Sequence, residues 1–393
     1  MRAFGICLSL ITPLRSGEMS AQIYHIALVL GSMRMGGAER ASLNLINEFV
    51  ARGVRCDLVL VQAEGELLSE LDPEVNIVPL GKGRTLYSVF AMRRYLKKIR
   101  PQVVIAGQTH VQIMTLLARK RSLSNIPVIL NEHSTFSTNN PGSTFKGRLT
   151  RLFAKYIFNH ADAITAVSQG VKKDLLQEFP FLGPKLDVIY NPVVGRTLFE
   201  KSRLEVQMPW DKRESIPVIL GLGRLVPDKD FENLLHAVAI ARKSQRIRLL
   251  IAGDGPDKEK LVKLAEKLSY GNDINFMGLS DNPYSLMKQA DLFVLSSRRE
   301  GLPMSLIEAL ACGCRVVSTD CESGPSEILN KGEYGRLVPV ADADLLSKAI
   351  LSSLKDKVQK DSGNEAIHPF YVETVCDNYS RLIISLLGRR VKA

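Results

Sequence analysis

The sequence predicts an α/β protein built from two doubly wound parallel-sheet units in tandem, and three observations carry that prediction. Short apolar runs alternate with stretches of helical period through most of the chain. The alternation breaks once, over 191–216, where no period holds and Pro192, Gly195, Pro209 and the single tryptophan, Trp210, fall. The chain's 393 residues exceed what one core normally supports and suit two domains of ordinary size.

Taken in order, residues 1–18 hold an apolar run behind an arginine with no clear cleavage site after it, and read as a dispensable extension. IYHIALVL at 23–30 is an uninterrupted apolar run, as expected of a strand covered on both faces of a parallel sheet. Further strands are predicted over 55–61, 75–79, 102–106, 127–131, 163–167 and 186–190, with helices over 38–52, 86–99, 108–118, 145–159 and 169–179. After the break, strands are predicted over 218–221, 248–252, 274–277, 292–295, 315–318 and 336–338, with helices over 231–243, 258–268 and 304–311. The tail over 369–387 has an apolar helical stripe through Val372, Val375, Tyr379, Ile383 and Leu386. The expected units are 19–192, a linker over 193–216, 217–367, and a terminal helix in 368–393, with a site in the cleft between the two larger units.

Composition excludes several classes. The six cysteines show neither paired CxxC nor Cys/His ligand spacing, so a disulfide framework or zinc site is not expected, and reduced thiols in a cytoplasmic protein are. No apolar stretch approaches the roughly 20 residues that span a bilayer. There is no G-x-G-x-x-G with a following acid, no P-loop and no G-x-S-x-G elbow. The lone D-x-D, Asp342 and Asp344, precedes a helical pattern and reads as an N-cap, so no metal site is expected. Net charge is +11, yet residues 81–155 carry fourteen Lys and Arg against one carboxylate, Glu132. That field suits anionic lipid headgroups, nucleic acid or phosphorylated ligands.

Strand ends carry the candidate chemistry. Gly36 and Gly37 precede a helix and would let a phosphate approach the backbone. Arg224 and Lys229 share the loop after the first strand of the second half, a fork donor and a point charge that could grip a diphosphate. The competing reading pairs them with the neighbouring Asp228 and Asp230. Gly278 follows INFM, where an exposed backbone edge could meet a base. His133 stands at a strand end facing the expected cleft. Glu300 and Glu308 flank the start of the helix at 304–311, with Gly301 and Leu302 in the loop and the amides of Met304 and Ser305 free to take a phosphate.

With these residues in view, the chain resembles the family 4 retaining glycosyltransferases of GT-B architecture, two Rossmann-like domains facing a cleft. The resemblance rests on the order of GGAER (36–40), NEH (131–133), GLGRLVPDKDFENLLHA (221–237), IAGDGP (251–256), INFMG (274–278) and EGLPMSLIEALACG (300–313) with its E-x7-E pair. The GPSEIL segment at 324–329 is similar to members that assemble bacterial surface polysaccharides or lipid-linked oligosaccharides. The resemblance implies a hexosyltransferase using a nucleotide-sugar donor, UDP rather than GDP, and a glycan or polyprenyl-linked acceptor, with no cofactor and no metal. It implies that Arg224 and Lys229 hold the diphosphate, that Glu308 binds the ribose hydroxyls and Glu300 the transferred sugar, and that His133 stands near the reacting centre.

The basic stretch falls in the first unit, so the protein is expected to lie peripherally on the inner face of the cytoplasmic membrane, with the helix over 86–99 in the headgroup layer. A nucleotide-sugar epimerase or hydrolase on the same plan is the rival enzyme reading. A nucleic-acid binder would need aromatics interleaved with the cations for stacking, and few stand there, so nucleic acid is not an expected partner.

Overall fold

The structure, a computed structural model, describes residues 23–81, 85–139, 145–211, 214–356 and 363–391. The extension over 1–18, with Lys82 and Arg84 and the side chains of Lys146 and Arg148, lies outside the described residues.

A first sheet holds β1 (His25–Leu30), β2 (Arg55–Leu60), β3 (Asn76–Pro79), β4 (Val103–Gly107), β5 (Val128–Glu132), β6 (Ala163–Ala166) and β7 (Leu186–Val188). A second holds β8 (Val218–Leu222), β9 (Arg248–Ala252), β10 (Ile274–Gly278), β11 (Leu292–Leu295), β12 (Val316–Thr319) and β13 (Arg336–Val338). Their strand orders are β3-β2-β1-β4-β5-β6-β7 and β10-β9-β8-β11-β12-β13. Pairing is parallel throughout both sheets. Each predicted strand is present with ends displaced by two residues at most.

The helices are α1 (Gly37–Ala51), α2 (Thr85–Ile99), α3 (Thr109–Ser122), α4 (Phe136–Asn139), α5 (Phe145–His160), α6 (Gln169–Glu178), α7 (Arg196–Ser202), α8 (Phe231–Ala241), α9 (Lys258–Lys267), α10 (Pro283–Gln289), α11 (Met304–Ala311), α12 (Pro325–Ile328), α13 (Ala343–Lys355), α14 (Gly363–Ile367) and α15 (Val372–Val391). Short α4, α7, α10, α12 and α14 were not predicted. One or two turns leave no room for a period to repeat, and α7 falls inside the stretch that reads as structureless.

Alternate residues of the first sheet feed opposite cores, which is why its strands read as unbroken apolar runs. Leu28, Leu58 and Val103 pack with α1, while Ala27, Val59 and Val104 pack with α2, α3 and α5. The terminal α15 returns to the α1 face, burying Val375, Tyr379, Ile383 and Leu386 against it. Each such side chain contributes about 1.5–3 kcal/mol. Together they outweigh the Arg52–Asp377 ion pair (2.5 Å) that joins the same two helices.

Each sheet has one switch point, where strand order reverses: β1/β4 in the first and β8/β11 in the second. Crevices for ligands open at the carboxyl ends of such strands. The candidate site is built there.

Candidate active site

At the second switch point Lys229 Nζ meets Glu300 Oε1 at 2.6 Å, and the Ser297 hydroxyl donates to the same oxygen at 2.6 Å. The Glu300 side chain is 9% exposed, so the pair is largely shielded from solvent. The Lys229 stem runs over Gly223, where a Cβ would stand 3.7 Å from Cε. Arg224 is exposed and forms no ion pair among the described residues. The neighbouring carboxylates are served by other cations: Arg298 grips Asp230 (2.7 Å) and Arg299 faces Asp228 (3.9 Å). The reading in which Arg224 and Lys229 merely neutralise those acids therefore fails.

The ends of β8, β9 and β10 come together glycine on glycine. Gly253, at φ +148, leaves no room for a Cβ, which would lie 1.9 Å from the Gly223 carbonyl oxygen. Its N–H donates to the Gly278 carbonyl at 2.7 Å. Gly278 has open space around it, and that bond engages its carbonyl within the sheet edge. What Gly278 offers is clearance.

Helix α11 starts from Pro303 with no side-chain cap, so the amides of Met304 and Ser305 begin it unfilled. Leu302, expected to line the donor site, is buried in the apolar core and anchors the loop instead. Glu308 lies one turn into the helix. Burial pushes its carboxyl up to about 7, with the Arg40 charge partly opposing.

The first switch point is arranged differently. Gly31 N–H donates to Gln108 Oε1 (3.2 Å), and Gln108 Nε2 donates to Glu39 Oε1 (2.5 Å). Glu39 Oε2 stands 2.2 Å from where a Cβ on Gly36 would be, so this carboxylate folds over the start of its own helix, α1. Gly36 is extended (φ −164), and its want of a side chain makes room for Glu39. The GGAER helix start has no side-chain cap hydrogen bond, and its own acid leans over it. His133 follows β5 with both ring nitrogens buried and unbonded among the described residues; burial pushes it down to about 4, leaving the imidazole neutral. Glu132 beside it accepts from Gln112 (2.8 Å), and burial raises it to about 7.

The two lobes meet across these features. A Cβ on Gly301 would be 2.1 Å from the His133 carbonyl oxygen, so only glycine allows that approach. A Cβ on Gly37 would be 3.6 Å from Met304 Sδ, which sets the starts of α1 and α11 face to face. One turn into α1, Arg40 is held by Glu70 through two bonds (2.6 and 2.9 Å), and its charge acts on Glu308 and Tyr284 of the other lobe. Arg40 is a site residue the sequence reading passed over, although it stands within the GGAER segment. Glu327 of the GPSEIL segment accepts the Gln169 N–H at the start of α6 (2.9 and 3.2 Å), which makes that segment a lobe-to-lobe contact. Asp342 caps α13 through the Leu345 N–H (2.8 Å). No group of three His, Cys, Asp or Glu able to hold a metal occurs among the described residues.

Comparison with known proteins bears on this arrangement. Residues 35–194 match the family described as Glycosyltransferase Family 4, and residues 203–368 match Glycosyl transferases group 1. The chain is 30% identical over 61% of its length to the N-acetylgalactosamine-N,N'-diacetylbacillosaminyl-diphospho-undecaprenol 4-alpha-N-acetylgalactosaminyltransferase of Campylobacter jejuni, spanning 64% of that protein, less than two thirds. It is 26% identical over 80% of its length to the lipopolysaccharide 1,6-galactosyltransferase of Escherichia coli, spanning 83% of it. Its fold matches HepE of Anabaena, solved in complex with UDP, with a TM-score of 0.76 at 18% identity, covering 92% of this chain and 100% of that one. The architecture is GT-B, and with one family match on each lobe the chain belongs to the family 4, group 1 glycosyltransferases.

Proposed function

We propose that this chain transfers a hexose or N-acetylhexosamine from a nucleotide-diphosphate sugar, a UDP-sugar by preference, to a glycan or lipid-linked acceptor in surface-polysaccharide assembly. Transfer retains anomeric configuration, needs no metal, and takes place at the inner face of the cytoplasmic membrane. The observation that carries this reading is the uncapped start of α11 at the second switch point, beside Lys229 and the unpaired Arg224. Fixed positive groups there suit the charge that develops on a leaving diphosphate.

The parts divide as follows. Arg224, Lys229 and the amides of Met304 and Ser305 hold the diphosphate, and Glu308 takes the ribose hydroxyls. A diphosphate draws the Lys229 charge away from Glu300, freeing that carboxylate for the transferred sugar. The neutral His133 ring can accept a hydrogen bond without repelling an oxocarbenium-like state, through which the acceptor attacks on the face the nucleotide leaves. The Campylobacter relative is named for acting on a diphospho-undecaprenol-linked saccharide and the Escherichia relative for lipopolysaccharide, which supports an acceptor of that class.

A thermal-shift screen of UDP-, GDP- and ADP-sugars tests the donor, with the UDP-sugar expected to raise the melting temperature most. Turnover with a lipid-linked saccharide, with and without chelator, then tests the transfer and its metal independence. Product anomeric configuration, read by NMR, tests retention. Consumption of donor at full rate with no acceptor present would replace transfer with the epimerase or hydrolase reading.

A further inference from the structure

Five of the thirteen large apolar side chains most exposed among the described residues gather on one outer face of the first lobe, away from the strand ends that build the site. Leu123 is 91% exposed, Leu152 68%, Phe90 57% and Phe153 56%, with Tyr156 beside them. They are contiguous. Arg121 lies over the Phe90 ring at 5.7 Å, joining α2 to α3. Lys120 lies over the Tyr156 ring at 5.7 Å and bonds its hydroxyl at 3.2 Å, joining α3 to α5. Leu123 and Tyr156 line one cavity of about 330 Å³, and Leu152 and Phe153 stand one turn before Tyr156 on α5.

Leu123 carries a second signal. It ends α3 in the left-handed conformation, φ +56, a place where glycine or asparagine is ordinary. A leucine held there and turned wholly to solvent has no use in the fold itself.

Charge identifies what covers this face. Of the basic residues of 81–155, Arg119 is matched by Asp162 and Arg151 by Glu178, and both are partly shielded. Arg94, Lys97, Lys98, Arg121 and Lys155 are exposed and form no ion pair among the described residues. Apolar side chains set among unpaired cations match an anionic interface with an apolar layer below it. The two most exposed, Leu123 and Leu152, are aliphatic and give a nucleic-acid base nothing to stack on.

The geometry points to this face as the docking surface for an anionic lipid bilayer, with Leu123, Leu152 and Phe153 entering the headgroup–acyl boundary and the unpaired cations meeting lipid phosphates. It rests on the membrane location proposed above and sharpens it: α3 and α5 supply most of the apolar contact, where the sequence alone pointed to α2. It does not depend on which sugar is moved.

Co-sedimentation of the full chain with phosphatidylcholine vesicles, with and without phosphatidylglycerol, tests it. Binding is expected only when phosphatidylglycerol is present. Combining Leu123→Ser, Leu152→Ser and Phe153→Ser should abolish binding, and combining Arg121→Glu with Lys155→Glu should weaken it by at least about fivefold per cation. Both variants should keep the wild-type melting temperature and the wild-type turnover of donor onto a soluble acceptor. Equal binding to both vesicle types, or wild-type binding by the triple variant, would overturn the proposal. So would a vesicle-free dimer, or oligonucleotide binding, that the triple variant loses, because the face would then belong to a second copy or to nucleic acid. Loss of all glycosyl transfer in a chain that still binds anionic vesicles would sink the catalytic reading and leave the docking surface standing.

Discussion

The two lobes each start a helix at the switch point of a parallel sheet, α1 after β1 and α11 after β11, and the two starts face one another across the cleft. At α1 the end is covered by Glu39, which Gln108 holds from the end of β4. At α11 no side chain caps the end, and the nearby carboxylate Glu300 is drawn aside by Lys229 and Ser297. Equivalent topology therefore yields two helix starts without a side-chain cap, one with a carboxylate leaning over it and one whose neighbouring carboxylate is drawn aside. The second lobe adds Lys229 and the unpaired Arg224 beside its helix start, while the first contributes the neutral His133, the Arg40 charge and the glycine surface that faces the cleft.

The largest expected effect breaks the open side. Lys229→Ala, Glu300→Gln and Arg224→Ala should each lower turnover at least about a hundredfold, with the melting temperature within about 2 °C of wild type for Arg224→Ala and lowered further where the shielded Lys229–Glu300 pair is broken. Near-normal rates in all three, measured with saturating donor, would move the donor out of the second lobe.

The next effect sharpens it. The Glu308 carboxyl is raised to about 7, above its ordinary 4.5, so burial favours the protonated form. This group's contribution to stability is full below the unfolded value and is lost as pH rises through about 7. Ribose hydroxyls favour the carboxylate, so UDP should bind more tightly as pH rises through about 7, and Glu308→Gln should flatten that dependence in calorimetric titrations. His133, lowered to about 4, should add no step near the ordinary histidine value.

Smaller effects lie on the contact between lobes and on the filled side. Glu327→Gln removes a charge from the start of α6, worth about 0.3–1 kcal/mol, and should lower the melting temperature by about 1–3 °C while raising the donor KM. Glu39→Ala uncovers α1 and should change the dissociation constant for UDP by less than about threefold, half an order of magnitude being under 1 kcal/mol. A tightening of tenfold or more would mean that the first lobe's helix start is a phosphate site after all.

Much of this was legible in the chain. The strands were, because a parallel sheet covered on both faces demands unbroken apolar runs, as in IYHIALVL. Glu300 and Glu308 were, because eight residues carry the chain from a loop to one turn inside α11. Arg40 was missed although GGAER contains it, because Glu308 and Tyr284, on which its charge acts, lie far along the chain and nothing local marks that proximity. The surroundings of Leu302 and Gly278 were hidden for a related reason. Neither a core neighbour nor a carbonyl already bonded to Gly253 shows in a loop's own sequence.

By itself the sequence determined two tandem parallel sheets, the break between them, and the acids and cations at their strand ends. These follow from periodicity and residue type, which act over a few positions. Only the tertiary structure decided which helix start has an acid leaning over it and which residues face across the cleft. A free amide becomes a binding site only when no side chain reaches it first. At α1 the side chain that does so is fixed by Gln108, 69 residues away.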